Sequence, residues 1–205
     1  MTATMPHTPE AYAPANGMKL CYDTFGDKAQ PTVLLIMGLG AQMILWDDGF
    51  CERIASNGFH VVRFDNRDIG RSSRVDVPVK LDFAELIQKQ MTGKPIESPY
   101  KLRDMAADAV GLLDHLGIKR AHVVGASMGG MIAQEMAINF PERLLSLTSV
   151  MSHSGNPTLP PPTPEAMAVL LAPPPATLDD YIAAFQKTWR VLRAGEFPDD
   201  DGKDV

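Results

Sequence analysis

Apolar residues along this chain follow two patterns. Short unbroken runs alternate with longer stretches in which they recur every three and four positions. The run PTVLLIMGLG is bounded by Pro31 and Gly38, FHVVRF by Gly58 and Asp65, and AHVV by Arg120 and Gly125. Runs of this kind predict strands buried on both faces. A further strand is predicted over 144–151 (LLSLTSVM). Between the strands, 46–58 reads as a helix with Phe50, Ile54 and Ala55 on one face and Asn57-Gly58 as its stop. The spacing of Leu102, Met105, Ala106, Ala109, Leu112, Leu113 and Leu116 predicts the clearest helix of the chain, ended by Gly117. MIAQEMAI after Ser127 predicts another, closed before Pro141. The order strand, helix, strand implies an α/β fold with a mostly parallel sheet, flanking helices and right-handed crossovers.

The rest of the chain is less regular. Residues 1–17 read as a loose lead-in. MKLCYDTF, residues 18–25, alternates and suits an edge strand before the turn at Gly26-Asp27. The long connection over 66–100 holds a short amphipathic stretch at 81–91. After His153 eight prolines fall between Pro157 and Pro175, with helical pieces predicted at 165–171 and 178–193. The closing GEFPDDDGKDV is acidic and apolar-poor, the composition of a solvated end. The divisions are thus 1–17, a core over 18–155, and a Pro-rich segment over 156–205.

Composition narrows the functional classes. Hydrophobic residues make up 45% and charged residues 21% of 205 positions, ordinary for one globular domain with its own core. The net charge of −6 gives no support to nucleic acid or an anionic membrane as partner. Cys21 and Cys51 form no C-x-x-C pair, and no Cys/His cluster suggests a metal or cofactor. Two reduced thiols, no secretory leader and no apolar run long enough to span a bilayer predict a cytoplasmic protein.

The chemistry concentrates at Gly125-Ala126-Ser127-Met128-Gly129, the pattern G-x-S-x-G between an apolar strand and a helix. A serine at such a turn projects its hydroxyl above the sheet. Residues two before and two after must be small, which Gly125 and Gly129 satisfy. The helix N-terminus beside it presents free N–H groups to developing negative charge. Gly38-Leu39-Gly40 also follows a buried strand. A dinucleotide loop is disfavoured there, because Met43 stands at its sixth position and Asp65 comes too late for the ribose. An oxyanion-hole loop fits better, with backbone N–H donors from Leu39 and from Met128. The polar series Asp65 to Ser73 reads as a structural turn whose Asp and Asn side chains cap the backbone.

Four stretches in order, LLIMGLGAQMILW, VVRFDNRDIGRSS, DMAADAVGLLDHLGIKRAHVVGASMGGMIAQEMA and FPERLLSLTSV, resemble the α/β-hydrolase fold superfamily. More narrowly they resemble its esterase and lipase-like branch, including proteins similar to aclacinomycin methylesterase. Met37 stands where many members carry His, a feature the methylesterase-like branch shares. The resemblance implies a Ser–His–Asp hydrolase of carboxylic esters with Ser127 as nucleophile, no cofactor, and a helical cap after the strand over 144–151. The segment 156–205 would be part of that cap.

The resemblance also implies an acid and then a base after the cap, and Val205 falls before both. His7, His60, His115 and His122 precede Ser127 and read as structural. His153 alone follows it, near the end of a core strand, and is the base candidate within these residues. No later Asp ends a recognisable core strand. Two expectations follow: a serine esterase whose acid and base lie beyond the given residues, or a catalytically incomplete module that needs a partner. Either way the missing strands predict an open parallel edge, which a second copy could cover.

Overall fold

The computed structural model describes residues 6–76, 89, 92, 94–156, 158–173 and 175–193. The chain divides into two compact units, Met1–Ser154 and Gly155–Val205. Among the described residues the first holds six strands: β1 (Ala11–Ala15), β2 (Met18–Phe25), β3 (Thr32–Ile36), β4 (His60–Phe64), β5 (Ala121–Ala126) and β6 (Leu144–Val150). Among its described residues are three α-helices: α1 (Asp48–Ser56), α2 (Leu102–His115) and α3 (Met128–Asn139). The strand order is β1-β2-β4-β3-β5-β6. β1 and β2 pair antiparallel, as do β2 and β4, and the remaining pairs are parallel.

The unbroken apolar runs became the central strands. Every residue of β3 and β4 is buried, because helices cover both faces. Leu34, Ile36, Val62 and Phe64 face Leu112 and Leu113 of α2 and Ile132 and Met136 of α3. Val33, Leu35 and Val61 face Cys51 and Ala55 of α1 on the other side. Each such Leu or Phe adds about 2 kcal/mol of burial free energy. Both cysteines are free and buried, and burial pushes their thiols up to about 11 at Cys21 and about 12 at Cys51.

Three local readings need correction. The lead-in is not loose over 11–15: β1 pairs with β2 from Ala11↔Tyr22 to Ala15↔Met18, and Ala13 and Ala15 are buried in the core. The helix expected over 46–58 starts later, at Asp48, because the Asp47 carboxylate accepts a hydrogen bond from Phe50 N (3.1 Å) and caps it. A 3-10 turn at Met43–Leu45 precedes it. Its buried side is Cys51 and Ala55, whereas Phe50 is exposed and stacks on Trp46.

The stretch 81–91 falls almost entirely outside the described residues, and the closing residues 194–205 do so completely. β6 is the last strand of the sheet. Leu145, Leu147 and Val150 are exposed along it. In the second unit, α4 (Pro164–Leu170) and α5 (Leu178–Leu192) are capped by Thr163 and Thr177, whose hydroxyls accept from Ala166 N and Asp180 N. Tyr181, Phe185 and Trp189 form a ring ladder along α5.

Candidate active site

β5 ends at Ala126 and α3 begins at Met128, so Ser127 alone makes the turn. Its backbone has φ 54° and ψ −122°, a region that costs a residue with a Cβ roughly 1–3 kcal/mol. Four hydrogen bonds hold it there. Ser127 N donates to Val150 O (2.9 Å), while Ser127 O accepts from Gly130 N (2.9 Å), Met131 N (3.4 Å) and Ser152 Oγ (2.7 Å). None of these uses the Ser127 hydroxyl, which is half-buried and has no hydrogen-bond partner among the described residues. A strained backbone with an unengaged hydroxyl at a strand–helix junction is the geometry that presents an oxygen to a ligand.

The strain itself is testable. Ser127→Gly should raise stability by about 1 kcal/mol relative to Ser127→Ala, since glycine relieves the turn and alanine does not. Urea denaturation of the two variants measures it, and equal midpoints would show that the turn is not strained.

The loop after β3 meets this serine. A Cβ placed on Gly38 would lie 3.0 Å from Ser127 Cβ and 3.4 Å from its Oγ, a crowded contact that glycine avoids where the two backbones meet. Leu39 is 79% exposed. The Leu39 and Met128 N–H groups have no partner among the described residues. For Met128 the cause is its place as the first residue of α3. Two vacant N–H groups thus lie on the segments that meet at Ser127, one directly after it and one directly after Gly38.

The polar series after β4 supports this loop. Asp65 Oδ1 accepts from Met43 N (2.8 Å) and Oδ2 from Arg71 N (2.9 Å). Asn66 is buried, and its Nδ2 donates to Met37 O (2.9 Å), fixing the peptide just before Gly38. The sequence reading placed Asn66 among the backbone-capping side chains of this turn, without the Met37 carbonyl as its partner. Its position directly after the end of a buried strand was the available signal. Arg67 pairs with Asp108 through Nε–Oδ2 and Nη2–Oδ1, both 2.6 Å. The whole series is structural turn, as its Asp and Asn content suggested.

His153 O accepts from Gln134 Nε2 (3.4 Å), and its neighbour Ser152 is bonded to the Ser127 carbonyl. The structure brings no His and no carboxylate into hydrogen-bond contact with Ser127 Oγ among the described residues. His60 lies buried at the start of β4 and His122 in β5, both at the far end of the sheet from Ser127. Among the described residues there is no group of three or more His, Cys, Asp or Glu able to hold a metal, and no helix long and apolar enough to cross a membrane.

Comparison with known proteins adds to this geometry. Residues 31–197 match the family model described as alpha/beta hydrolase fold. Rhodomycin D methylesterase of Streptomyces sp. strain C5 is 33% identical over 194 residues, covering 85% of this chain and 59% of the relative. 3-Oxoadipate enol-lactonase 2 of Acinetobacter baylyi is 32% identical over 131 residues, covering 63% of this chain and 40% of the relative. Among solved structures, 2-hydroxy-6-oxo-6-phenylhexa-2,4-dienoate hydrolase from Rhodococcus sp. strain RHA1 superposes with a TM-score of 0.63 at 23% identity, over 90% of this chain and 58% of that one, a likeness of fold. The chain thus spans 40–59% of the length of these two curated relatives.

Proposed function

The chain belongs to the α/β-hydrolase fold family, and on that premise we propose that it carries the nucleophile and oxyanion hole of a serine hydrolase acting on carboxylic esters. The observation that carries this reading is Ser127, strained at φ 54° with its hydroxyl unengaged, beside the vacant N–H groups of Leu39 and Met128. In the proposed reaction Ser127 Oγ attacks the ester carbonyl and loses its proton to a general base. The carbonyl oxygen takes the negative charge, which the two N–H groups stabilise. Losing one such donor typically lowers kcat about 10²–10³-fold. The alcohol leaves with the proton from the base, and water then releases the acid from the acyl-serine.

The methylesterase relatives favour a methyl ester as the substrate. A serine rather than an aspartate at the elbow argues against routes through an alkyl-enzyme ester. Small-molecule esters are the proposed partners, and the cytoplasm the proposed compartment. The base is the open element. His153 is the candidate within these residues, and the family's chain order would otherwise put acid and base later.

A second reading is favoured by one observation. Ser127 Oγ touches no base among the described residues, and an unactivated serine is a poor nucleophile. On that reading the chain is a non-catalytic module of the same fold. A fluorophosphonate probe on the purified protein separates the two. Labelling of the wild type that vanishes in Ser127→Ala supports the hydrolase. No labelling, or labelling that survives the substitution, supports the module.

A further inference from the structure

The two vacant N–H groups near Ser127 differ in how they are held. The Met128 N–H opens a helix, and α3 fixes its direction. The Leu39 N–H belongs to the loop between β3 and the 3-10 turn at Met43–Leu45. Its neighbours are Gly38 and Gly40, the residue type that restrains a backbone least, and Gly40 sits at φ 71°. The Leu39 side chain is exposed, so packing does not orient the loop either. The hydrogen bond within the loop, from Ala41 N to Gly38 O, is a long 3.4 Å. Such a donor stabilises developing charge only if its direction is set before the reaction.

Two consecutive residues at the end of β4 set it. Asn66 Nδ2 donates to Met37 O (2.9 Å) where the chain enters the loop. Asp65 Oδ1 accepts from Met43 N (2.8 Å) where the chain leaves it. Both side chains are buried. Their own backbone is anchored in turn: Asp65 N donates to Cys21 O (2.9 Å), Asp65 O accepts from Ser72 Oγ (2.7 Å), and Asn66 O accepts from Ile69 N (3.1 Å). Residues 38–42 are thus slung between two pins on one strand end, with Leu39 two positions past the first. The Met37 carbonyl also borders the elbow helix, since a Cβ on Gly129 would lie 2.8 Å from it.

We propose that Asn66 is a positioning residue for the oxyanion hole, acting through the Met37 carbonyl on the direction of the Leu39 N–H; this rests on the serine-hydrolase reading above. The side chain must be a donor, because the atom it holds is a carbonyl oxygen. A carboxylate at position 66 would set acceptor against acceptor in a buried space. Removing the amide leaves Ser127 and both N–H groups in the chain and takes away the orientation of one of them. Ligand binding therefore persists while the chemical step slows.

Nitrogen-15 relaxation of the wild type tests the first half without activity and without a variant. An unbonded amide in an exposed, glycine-flanked loop would ordinarily be mobile, but the Leu39 N–H should show an order parameter of about 0.85, as rigid backbone does. A value below about 0.6 would overturn the proposal. Fluorophosphonate labelling tests the second half. Asn66→Ala should lower the limiting rate of Ser127 labelling about tenfold, part of what losing a whole donor costs, with half-saturation of the probe within about twofold of the wild type. Asn66→Asp should be slower still. Thr24→Val is the control for lost stability alone: it removes a buried hydroxyl that meets Thr8 Oγ1 (3.1 Å) and should label at the wild-type rate. If Asn66→Ala does not fold, the order parameter decides. An unchanged rate in Asn66→Ala, a loss carried entirely by weaker probe binding, or an equal loss in Thr24→Val overturns the positioning role and leaves the hydrolase reading standing. A wild type whose Ser127 takes up no probe overturns both.

Discussion

Gly129→Ala is expected to destabilise the fold by about 3 kcal/mol or more, at the upper end of what overpacking costs. The reason is purely steric. A Cβ at position 129 would sit 2.1 Å from Ile36 O, 2.7 Å from Ile36 C and 2.8 Å from Met37 O. All three are backbone atoms at the end of β3, so no rotamer change relieves the contact. Helix α3 would have to lift off the sheet, and with it Ile132, Ala133 and Met136, all fully buried. Gly125 faces the same constraint from the other side, since its Cβ would meet Gly129 O at 2.1 Å. Gly49 in α1 is the control. A Cβ there meets only the Asp47 side chain at 3.0 Å, and the helix gains alanine's propensity. Urea unfolding measures both. Gly129→Ala should lower the midpoint sharply while Gly49→Ala leaves it near the wild-type value. A mild Gly129→Ala would mean that the elbow packs less tightly than its backbone distances imply.

That contrast also explains what was legible in the sequence. The elbow is a local device. Its requirements fall on residues within two positions of Ser127, so five consecutive letters display it. The parallel strands were legible for a related reason, since burial on both faces leaves no polar position to interrupt the run. β1 was not, because AYAPA contains a proline and three alanines, poor strand material that Tyr12 alone does not offset. Pro14 is tolerated there because β1 is the outermost strand of the sheet.

The polar supports of the site were the least legible part. Asp23 pairs with Arg63 at 2.8 Å through two bonds, and His7 and Asp48 join the same cluster. Asn66 reaches Met37. These partners lie tens of residues apart, and no periodicity links them. A buried ion pair announces itself in sequence only as a charged residue in an apolar strand, as Arg63 does in HVVRF. What it pairs with is a property of the fold. The second half of a triad is illegible in a stronger sense, because proximity to Ser127 Oγ depends on tertiary arrangement rather than on any local pattern.

Breaking the pair between Arg67 and Asp108 should have the other large effect, with Asp108→Ala costing about 3 to 5 kcal/mol. Arg67 is 7% and Asp108 2% exposed, and their two bonds are both 2.6 Å. Removing the carboxylate strands a guanidinium that keeps only the Asp104 carbonyl (3.4 Å) and the face of Tyr100, 4.8 Å from its ring centre. Yet the intact pair is not itself worth that much. Burial pushes the Asp108 carboxyl above its ordinary range against the opposing pull of Arg67 and Asn16, while the hydrogen bond to Asp108 raises the Arg67 guanidinium, so the cost of burial offsets much of the attraction. The double variant Arg67→Met with Asp108→Leu should therefore recover most of the loss, to within about 1 kcal/mol of the wild type. A double-mutant cycle in urea measures the coupling. If Asp108→Ala alone costs under about 1 kcal/mol, the pair is hydrated in solution and the reasoning from burial fails. Because Arg67 directly follows Asn66, which holds the Met37 peptide, the same cycle read by amide exchange over 36–43 shows whether this ion pair also steadies the loop at Ser127. The single variant should speed exchange there, and the double variant should restore it.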